Sequence, residues 1–258
     1  MKKTIPILLL ILFFVAAAWY SLTREPDPIH EIPPPSVVLE PAVEETPVDP
    51  WPEEPVPEEE PEPAPLPDLD ESDEWIEREL EAITGSDDLV QFLVKDQLVS
   101  RLVAAVDTLD SRQVPAQVIP VKSPEGKFKA GSSGEKAVLG GDNFVRYDGH
   151  VGLLQQLDSA ALVGIYKYYY PLFQQAWEDN GGEGSFNDRF LEIIDHLLET
   201  PEVNSEIELV KPEAVYLYED PELEALSAGQ KILLRMGPDN AALVKAKLTE
   251  LRDRVGVI

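Results

Sequence analysis

Residues 25–70 constrain the fold of this chain more than any other stretch, because they cannot join a packed core. They hold 15 prolines, and residues 25–74 hold 18 acidic side chains and no basic one. Such a composition buries too little apolar surface to offset the entropy lost on folding. We therefore predict three parts: an N-terminal segment at 1–24, a disordered, acidic, proline-rich linker at 25–70, and a folded domain at 71–258.

The linker has a plain interpretation and an alternative. Proline favours polyproline II and like charges extend the chain, so the composition of the linker predicts a solvated spacer. About 45 residues reach roughly 35–40 Å as a flexible coil and roughly 140 Å when extended. The alternative is a proline-rich docking ligand, and Trp51, which lies between two prolines, is its best anchor.

Residues 5–22 carry no charged side chain and predict a transmembrane helix. A helix of this length spans about 27 Å, close to the hydrocarbon core of about 30 Å. Lys2 and Lys3 favour a cytoplasmic N-terminus, and Trp19 and Tyr20 suit a membrane interface. The partner of this segment is then the lipid bilayer, with all later residues on the far side.

A cleaved signal peptide is the alternative for the N-terminus. The small residues Ala16, Ala17 and Ala18 would suit a signal peptidase. Against this, Trp19 and Tyr20 follow at once, and the apolar run is longer than a usual signal core. An uncleaved anchor is the favoured interpretation.

Charge and cysteine content exclude several classes of function. The net charge is −28, and residues 75–258 hold 31 acidic against 18 basic side chains, a net charge of −13. A polyanion is repelled by such a chain, so we expect no nucleic-acid partner. The absence of cysteine removes disulfides, thiol nucleophiles and cysteine-bound zinc.

Helical spacing and capping signals predict a mainly α, multi-helix domain with at most a few short strands. The predicted helices and their starts are 72–85; 86–109 from Ser86; 142–157 from Asp142; one from Asp158 or Ser159; one from Ser185; proline-first helices after Thr200 and Asp220; one from Ser227 to Gly237; and 239–255. The best strand candidate is AVYLY at 214–218.

Residues 111–141 are predicted to be mostly loop, with possible strands FKA at 128–130 and KAVL at 136–139. The basic side chains of this stretch are Lys122, Lys127, Lys129 and Lys136. A mobile loop is the plain interpretation. Contact with an anionic envelope polymer is the alternative.

The stretch YKYYYPLFQQAWEDNGG at 166–182 contains six aromatics, which could form either a core or a stacking surface. On a helical wheel five of them, all except Tyr170, fall within one apolar arc, which favours a buried helix. Pro171 removes a helical hydrogen bond and clashes with the carbonyl of Lys167. We predict a kink near 167–170, or a break with a new helix starting at Pro171.

Five blocks of the sequence resemble, in order and spacing, a Gram-negative bacterial family known only as domain of unknown function 3014. The blocks are VDTLDSRQVPAQVIPVKSPEGKF, DNFVRYDGHVGLL, YYYPLFQQAWEDNG, FNDRFLEIIDHLLETP and LLRMGPDNAALVKAKL. The resemblance covers roughly residues 80–255. It implies an envelope location, in the inner membrane with the domain in the periplasm, and it implies no activity.

Catalytic and metal-binding motifs give little support to an enzyme. His196 follows Glu192 by one helical turn, which predicts a solvent-facing pair, and His150 has no evident partner. The GSSG at 131–134 is not a nucleophile elbow, and the GG at 140–141 lacks the residues of a phosphate loop. We predict no catalytic residue, no metal site and no cofactor.

The candidate binding residues are polar side chains that interrupt apolar helices near their starts. An inward arginine among them could clamp a carboxylate with two hydrogen bonds, although ties between loops and helix ends are the plainer interpretation. The candidates are Asn143, Arg146, Tyr147, Tyr170, His196, Arg235 and Asn240. The sequence favours a non-catalytic protein that binds an envelope protein or cell-wall polymer. The alternative is an envelope hydrolase that uses carboxylates with Arg or His.

Overall fold

A computed structural model describes residues 65–84, 92–124, 126–203, 205–212 and 215–256. The predicted anchor at 5–22, its signal-peptide alternative and the linker as far as residue 64, with Trp51, lie outside these residues. Within the described ranges, no helix combines the length and the apolar character needed to cross a membrane.

The described residues form a mainly helical domain with one small sheet, as the sequence predicts. The helices are α1 (Asp73–Thr84), α2 (Leu98–Thr108), α3 (Gly141–Phe144), α4 (Asp148–Gln156), α5 (Ser159–Asp179), α6 (Phe186–Leu198), α7 (Pro221–Ala225), α8 (Ala228–Arg235) and α9 (Pro238–Val255). The strands are β1 (Ala130–Ser133), β2 (Lys136–Leu139), β3 (Glu208–Val210) and β4 (Leu217–Tyr218).

Helix α5 lies at the centre of the helical core and packs against α2, α6 and α9. Its aromatic side chains Tyr166, Tyr169, Phe173 and Trp177 are all buried, which confirms the core interpretation of this stretch. Tyr168 is the exception, since 41% of its surface is exposed although the wheel places it in the apolar arc. Its ring instead packs edge-on against the ring of Tyr169, at 4.9 Å between centroids.

Pro171 lies inside α5, which runs without interruption from Ser159 to Asp179. The predicted break with a new helix at Pro171 is therefore wrong. The side chain of Pro171 is exposed, while that of the neighbouring Leu172 is buried. The predicted kink near 167–170 stays a prediction.

Four helix starts are capped by the side chains that the sequence indicates. Asp158 accepts a hydrogen bond from the Ala161 amide, and Asp220 accepts one from the Glu222 amide with Pro221 first in α7. Ser185 caps α6, and Ser227 forms a reciprocal capping box with Gln230. Each cap satisfies an amide that the helix leaves unpaired, so local sequence fixes these boundaries.

The helix predicted over 86–109 is only half right, because α2 begins at Leu98. Phe92 instead lies in a 3₁₀ turn outside α2, and its carbonyl accepts a hydrogen bond from the Lys122 amide at 2.7 Å. The α2 start is capped from another helix: Asp73 accepts hydrogen bonds from the amides of Gln97, at 2.8 Å, and Leu98, at 2.7 Å.

Three further boundary predictions are wrong. Asp142 is not a cap, since α3 starts at Gly141 and ends at Phe144, and α4 starts separately at Asp148. Residues 201–203 and 205–207, which follow Thr200, are not helical and lead to β3. The strand predicted at 128–130 begins at its last residue, Ala130, and continues to Ser133, with the turn to β2 at Gly134 and Glu135.

The sheet is antiparallel in the order β1-β2-β3-β4, with Ala137 opposite Leu209 and Leu209 opposite Tyr218. These paired residues share one face, because directly opposed residues point to the same side of a sheet. Leu139, Leu209 and Tyr218 pack there against Leu234 of α8, in a small core of their own. The sheet thus places the end of β2 beside α8 and the start of α9.

Candidate functional site

Five of the seven candidate residues come together in what we term the polar cluster: Asn143, Arg146, Tyr147, Arg235 and Asn240. Asn143 is fully buried, and its Nδ2 donates to the carbonyl of Arg235 at 2.8 Å. Its Oδ1 accepts a hydrogen bond from Nη1 of Arg146 at 2.9 Å. One amide therefore links α3 to the end of α8, across 92 residues of sequence.

Arg146 extends the polar cluster to the loop before β1. Its Nη2 donates to the carbonyl of Gly126 at 3.1 Å, and its guanidinium carbon lies 5.8 Å from the centroid of the Tyr147 ring. Five fixed donors suit arginine to holding several carbonyls at once. Within the described chain, Arg146 thus acts as a tie between a helix end and a loop.

Arg235 is 5% exposed, and its guanidinium carbon lies 5.8 Å from the centroid of the Tyr218 ring. It forms no salt bridge with any carboxylate of the described residues, so the inward arginine is held by an aromatic ring instead. Burial raises the pKa of the Tyr218 hydroxyl to about 12, although the Arg235 charge opposes this. Burial also raises the pKa of Tyr147, against the charges of Arg235 and Arg146.

Asn240 closes the polar cluster at the start of α9. Its Nδ2 donates to Oδ1 of Asp148 at 2.9 Å and to the carbonyl of Met236 at 3.1 Å. These bonds join the start of α4 to the start of α9. The cluster is a buried network that ties helix ends together, and networks of this kind stabilise when all their members are paired.

The remaining two candidates lie apart from the polar cluster and from each other. His196 bonds through Nε2 to the Ser227 hydroxyl at 2.9 Å, while Glu192 lies 3.5 Å from Arg189. The predicted solvent-facing pair of His196 and Glu192 is therefore wrong. The Tyr170 hydroxyl donates to Oε1 of Gln174 at 2.9 Å and lies 3.0 Å from the Ser185 hydroxyl, beside the α6 cap.

A cleft of about 590 Å³, here the apolar cleft, opens between the loop at 200–207 and the first turns of α9. Its floor comprises Leu139, Phe144 and Leu234, and Val203 and Ile207 form part of its wall. On the α9 side the small residues Ala241 and Ala242 line the cleft together with Asp239 and Lys245. Its volume lies within the range of about 300–1,000 Å³ usual for ligand sites.

The charges around the apolar cleft are mostly negative. Glu202, Glu206 and Asp239 line it and form no salt bridge within the described residues, whereas Lys245 donates its ammonium to the carbonyl of Thr200. Three carboxylates thus face one lysine. A negatively charged ligand group would meet net repulsion here.

A second cleft of about 330 Å³, here the acidic cleft, lies on the other side of the same loop. It shares Val203, Ser205, Glu206 and Ile207 with the apolar cleft and adds mainly acids. The added residues are Glu208, Glu219, Asp220 and Leu223. The loop at 200–207 therefore separates an apolar surface from an acidic one.

Lys136 lies over the acidic cleft and forms salt bridges with Glu208 and, at 3.8 Å, with Glu219. A hydrogen bond between the two carboxyl groups raises the pKa of Glu219 and, together with Lys136, lowers that of Glu208. Among the described residues no set of three or more His, Cys, Asp or Glu side chains is arranged to hold a metal ion. The two clefts are suited to binding charged and apolar groups of a ligand.

Sequence reasoning missed both clefts. The apolar cleft forms between the loop after α6, the end of β2 and the start of α9, which are up to about 100 residues apart in the chain. The acidic cleft forms between the same loop, the start of β3 and the residues around the start of α7. The one available signal is the pair of alanines that follows GPDN, since small residues at a helix start leave room beside it. None of the polar-cluster residues lines either cleft.

The profile of a family described as a protein of unknown function, DUF3014, matches residues 98–252, more than half of the chain. The chain belongs to the DUF3014 family. The DUF3014 match begins at the first residue of α2 and ends within α9, so it contains the polar cluster and both clefts. No curated protein and no solved structure matches the chain.

Proposed function

We propose that this DUF3014 chain is a non-catalytic binding protein of the bacterial cell envelope, and that the apolar cleft holds a segment of a partner protein. The observation that carries the proposal is the cleft itself. Its floor of Leu139, Phe144 and Leu234 is apolar, and its volume of about 590 Å³ is large enough for one or two large side chains.

The polar cluster supports binding rather than catalysis. Asn143, Arg146 and Asn240 direct their side chains to backbone carbonyls and to neighbouring side chains of the domain. Their donors are used within the fold, and none of these residues lines the apolar cleft. A general acid or base needs to face the substrate within hydrogen-bond reach.

An envelope hydrolase is the weaker candidate. Glu208 and Glu219 form the one carboxylate pair that both lines a described cleft and shows pKa shifts in opposite directions. In glycosidases the two carboxyl groups stand about 5 Å or more apart, to leave room for the sugar or for water. Here both carboxyl groups form salt bridges with the ammonium of Lys136 instead of facing an open site.

We also propose a location for the domain, which the sequence supports. Residues 5–22 anchor the chain in the inner membrane with the N-terminus in the cytoplasm, and residues 25–70 set how far the periplasmic domain can reach. Bacterial alkaline phosphatase folds only outside the cytoplasm, because it needs disulfide bonds. When it is fused after residue 258, it should therefore be active in intact cells. A mature protein that starts at Trp19 would contradict the anchor.

Photocrosslinking in intact cells tests the cleft. A photoreactive amino acid is placed at Ala242, which lines the apolar cleft, or at Ala246, an exposed alanine one turn later on α9 that does not. We expect a protein adduct from position 242 alone, lost when Ala241→Trp fills the cleft. Equal adducts at both positions, or none at 242, would contradict the proposal. An adduct removed by lysozyme rather than by protease would indicate a cell-wall polymer as the partner.

A further inference from the structure

The two clefts lie side by side and differ in chemistry. The apolar cleft has a floor of Leu139, Phe144 and Leu234, and the acidic cleft is lined by Glu208, Glu219 and Asp220. Glu206 and Ile207 line both, so a ligand that crosses this wall would contact the two surfaces at once.

We infer that the ligand is a protein segment with a large apolar side chain for the apolar cleft and a lysine or arginine for the acidic cleft. The inference rests on the proposed binding function and specifies its ligand class. It commits to a basic and apolar segment of a partner, and it excludes acidic segments.

The acidic cleft favours a basic ligand, because its negative charges complement a lysine or arginine. Lys136 is the basic partner at the acidic cleft, where its salt bridges to Glu208 and Glu219 leave Glu206 without a salt bridge among the described residues. Asp220 is also negative, and its side chain caps α7. Four acids therefore face one lysine within a distance over which salt screens charges only partly, since the Debye length is about 8 Å at physiological ionic strength.

The apolar floor of the apolar cleft favours a protein segment over a polysaccharide as the ligand. A polysaccharide would bring hydroxyl groups against Leu139, Phe144 and Leu234, which offer no hydrogen-bond partner from their side chains. A leucine or phenylalanine would instead exchange water for apolar contact, and such anchors dominate the energetics of most protein interfaces.

Defined peptides test the inference with the full-length chain in detergent micelles. The probes are fluorescein-labelled decapeptides with one Leu-Phe pair and one Lys-Lys pair, separated by two, four or six residues of Gly and Ser. Matched peptides carry Glu-Glu or Ser-Ser in place of Lys-Lys. Fluorescence anisotropy should show that one of the three Lys-Lys peptides binds most tightly. The Ser-Ser peptide with the same spacer should bind at least fivefold more weakly, and the Glu-Glu peptide more weakly still.

Variants that remove charges from the acidic cleft test whether this cleft binds the lysines of the peptide. Glu206→Gln with Glu219→Gln removes two charges from the acidic cleft, and Glu81→Gln with Glu183→Gln removes two exposed charges elsewhere. The first double variant should weaken binding of the Lys peptide about three- to tenfold, a scale set by surface ion pairs, and leave the Ser peptide unchanged. The second should leave both unchanged.

The outcomes separate this inference from the proposed function. If Lys, Ser and Glu peptides bind equally and Ala241→Trp abolishes their binding, the preference for a basic ligand is wrong and the apolar binding site stands. If no peptide binds while crosslinking from position 242 succeeds, the ligand class is wrong and the site stands. If crosslinking from position 242 also fails, both proposals fall.

Discussion

The ring of Phe144 lies against Gly237 so closely that a Cβ added at Gly237 would be 2.5 Å from the ring carbon Cγ. Gly237 also has φ +87° and stands immediately before Pro238, the first residue of α9. Both residues line the apolar cleft. The glycine therefore allows the chain to turn into α9 while Phe144 closes the floor beneath it.

Gly237→Ala should lower the free energy of unfolding by about 2–4 kcal/mol, because it adds backbone strain to a ring clash. Urea denaturation monitored by circular dichroism measures the change. Gly152→Ala is the control: an added Cβ meets open space within α4, so that variant should be neutral or stabilising by up to about 1 kcal/mol. Equal effects of the two substitutions would contradict the role of Phe144.

Asn143→Ala should destabilise the domain by about 2–3 kcal/mol, because it removes the side chain that pairs with the Arg235 carbonyl and with Nη1 of Arg146. Gln156→Ala is the control, since Gln156 is exposed and bonds one carbonyl of its own helix. It should change the stability by less than about 0.5 kcal/mol. If Asn143→Ala unfolds at the same urea concentration as Gln156→Ala, the polar cluster is not the tie described above.

Asp73→Ala should cost about 1–2 kcal/mol, the usual effect of losing a helix cap. Asp73 caps α2 from the first turn of α1 and accepts two backbone hydrogen bonds. The neighbouring Glu74 forms an exposed pair with Arg78, so Glu74→Ala should change stability by at most about 0.5 kcal/mol. The difference between these variants in thermal unfolding measures the contribution of the cap, and no difference would refute it.

The sequence predicts elements well where local chemistry decides them. Asp158, Ser185, Asp220 and Ser227 cap helices because their side chains pair with amides two or three residues ahead. The apolar stripe of α5 is also local, since a period of 3.6 residues places Tyr166 and Phe173 on one side. These features need no knowledge of the rest of the chain.

Elements set by distant partners escape this kind of prediction. The start of α2 depends on Asp73, which lies 25 residues earlier, and β3 exists because residues near 208 pair with β2, about 70 residues earlier. The site shows the same limit. The sequence singles out Asn143 and Arg235 as polar residues within apolar helices, but only the fold reveals that the two are hydrogen-bonded and that the clefts lie elsewhere.

Pro171→Ala should raise the free energy of unfolding by about 1–3 kcal/mol, because it restores a hydrogen bond to the Lys167 carbonyl in an uninterrupted helix. The gain is reduced by about 0.4–1 kcal/mol, since proline restricts the unfolded chain. Pro115→Ala is the control: Pro115 is exposed and precedes a short 3₁₀ helix, so its loss should give no gain. Equal or lower stability of Pro171→Ala would indicate that the domain needs the proline geometry in α5.

His150 should make the domain less stable as the pH falls. Burial lowers its pKa, a hydrogen bond that the imidazole donates to the backbone carbonyl of Lys122 partly opposes this, and the Arg146 charge lowers the pKa further. A lowered folded-state pKa means that the stabilisation is complete above the unfolded value of about 6.5 and is lost as the pH falls through the folded value. His150→Leu, which keeps an apolar contact to the Phe92 ring, should therefore lose less stability between pH 7.5 and 5. Parallel urea titrations of the two proteins check this, and identical pH profiles would show that His150 is not the titrating group.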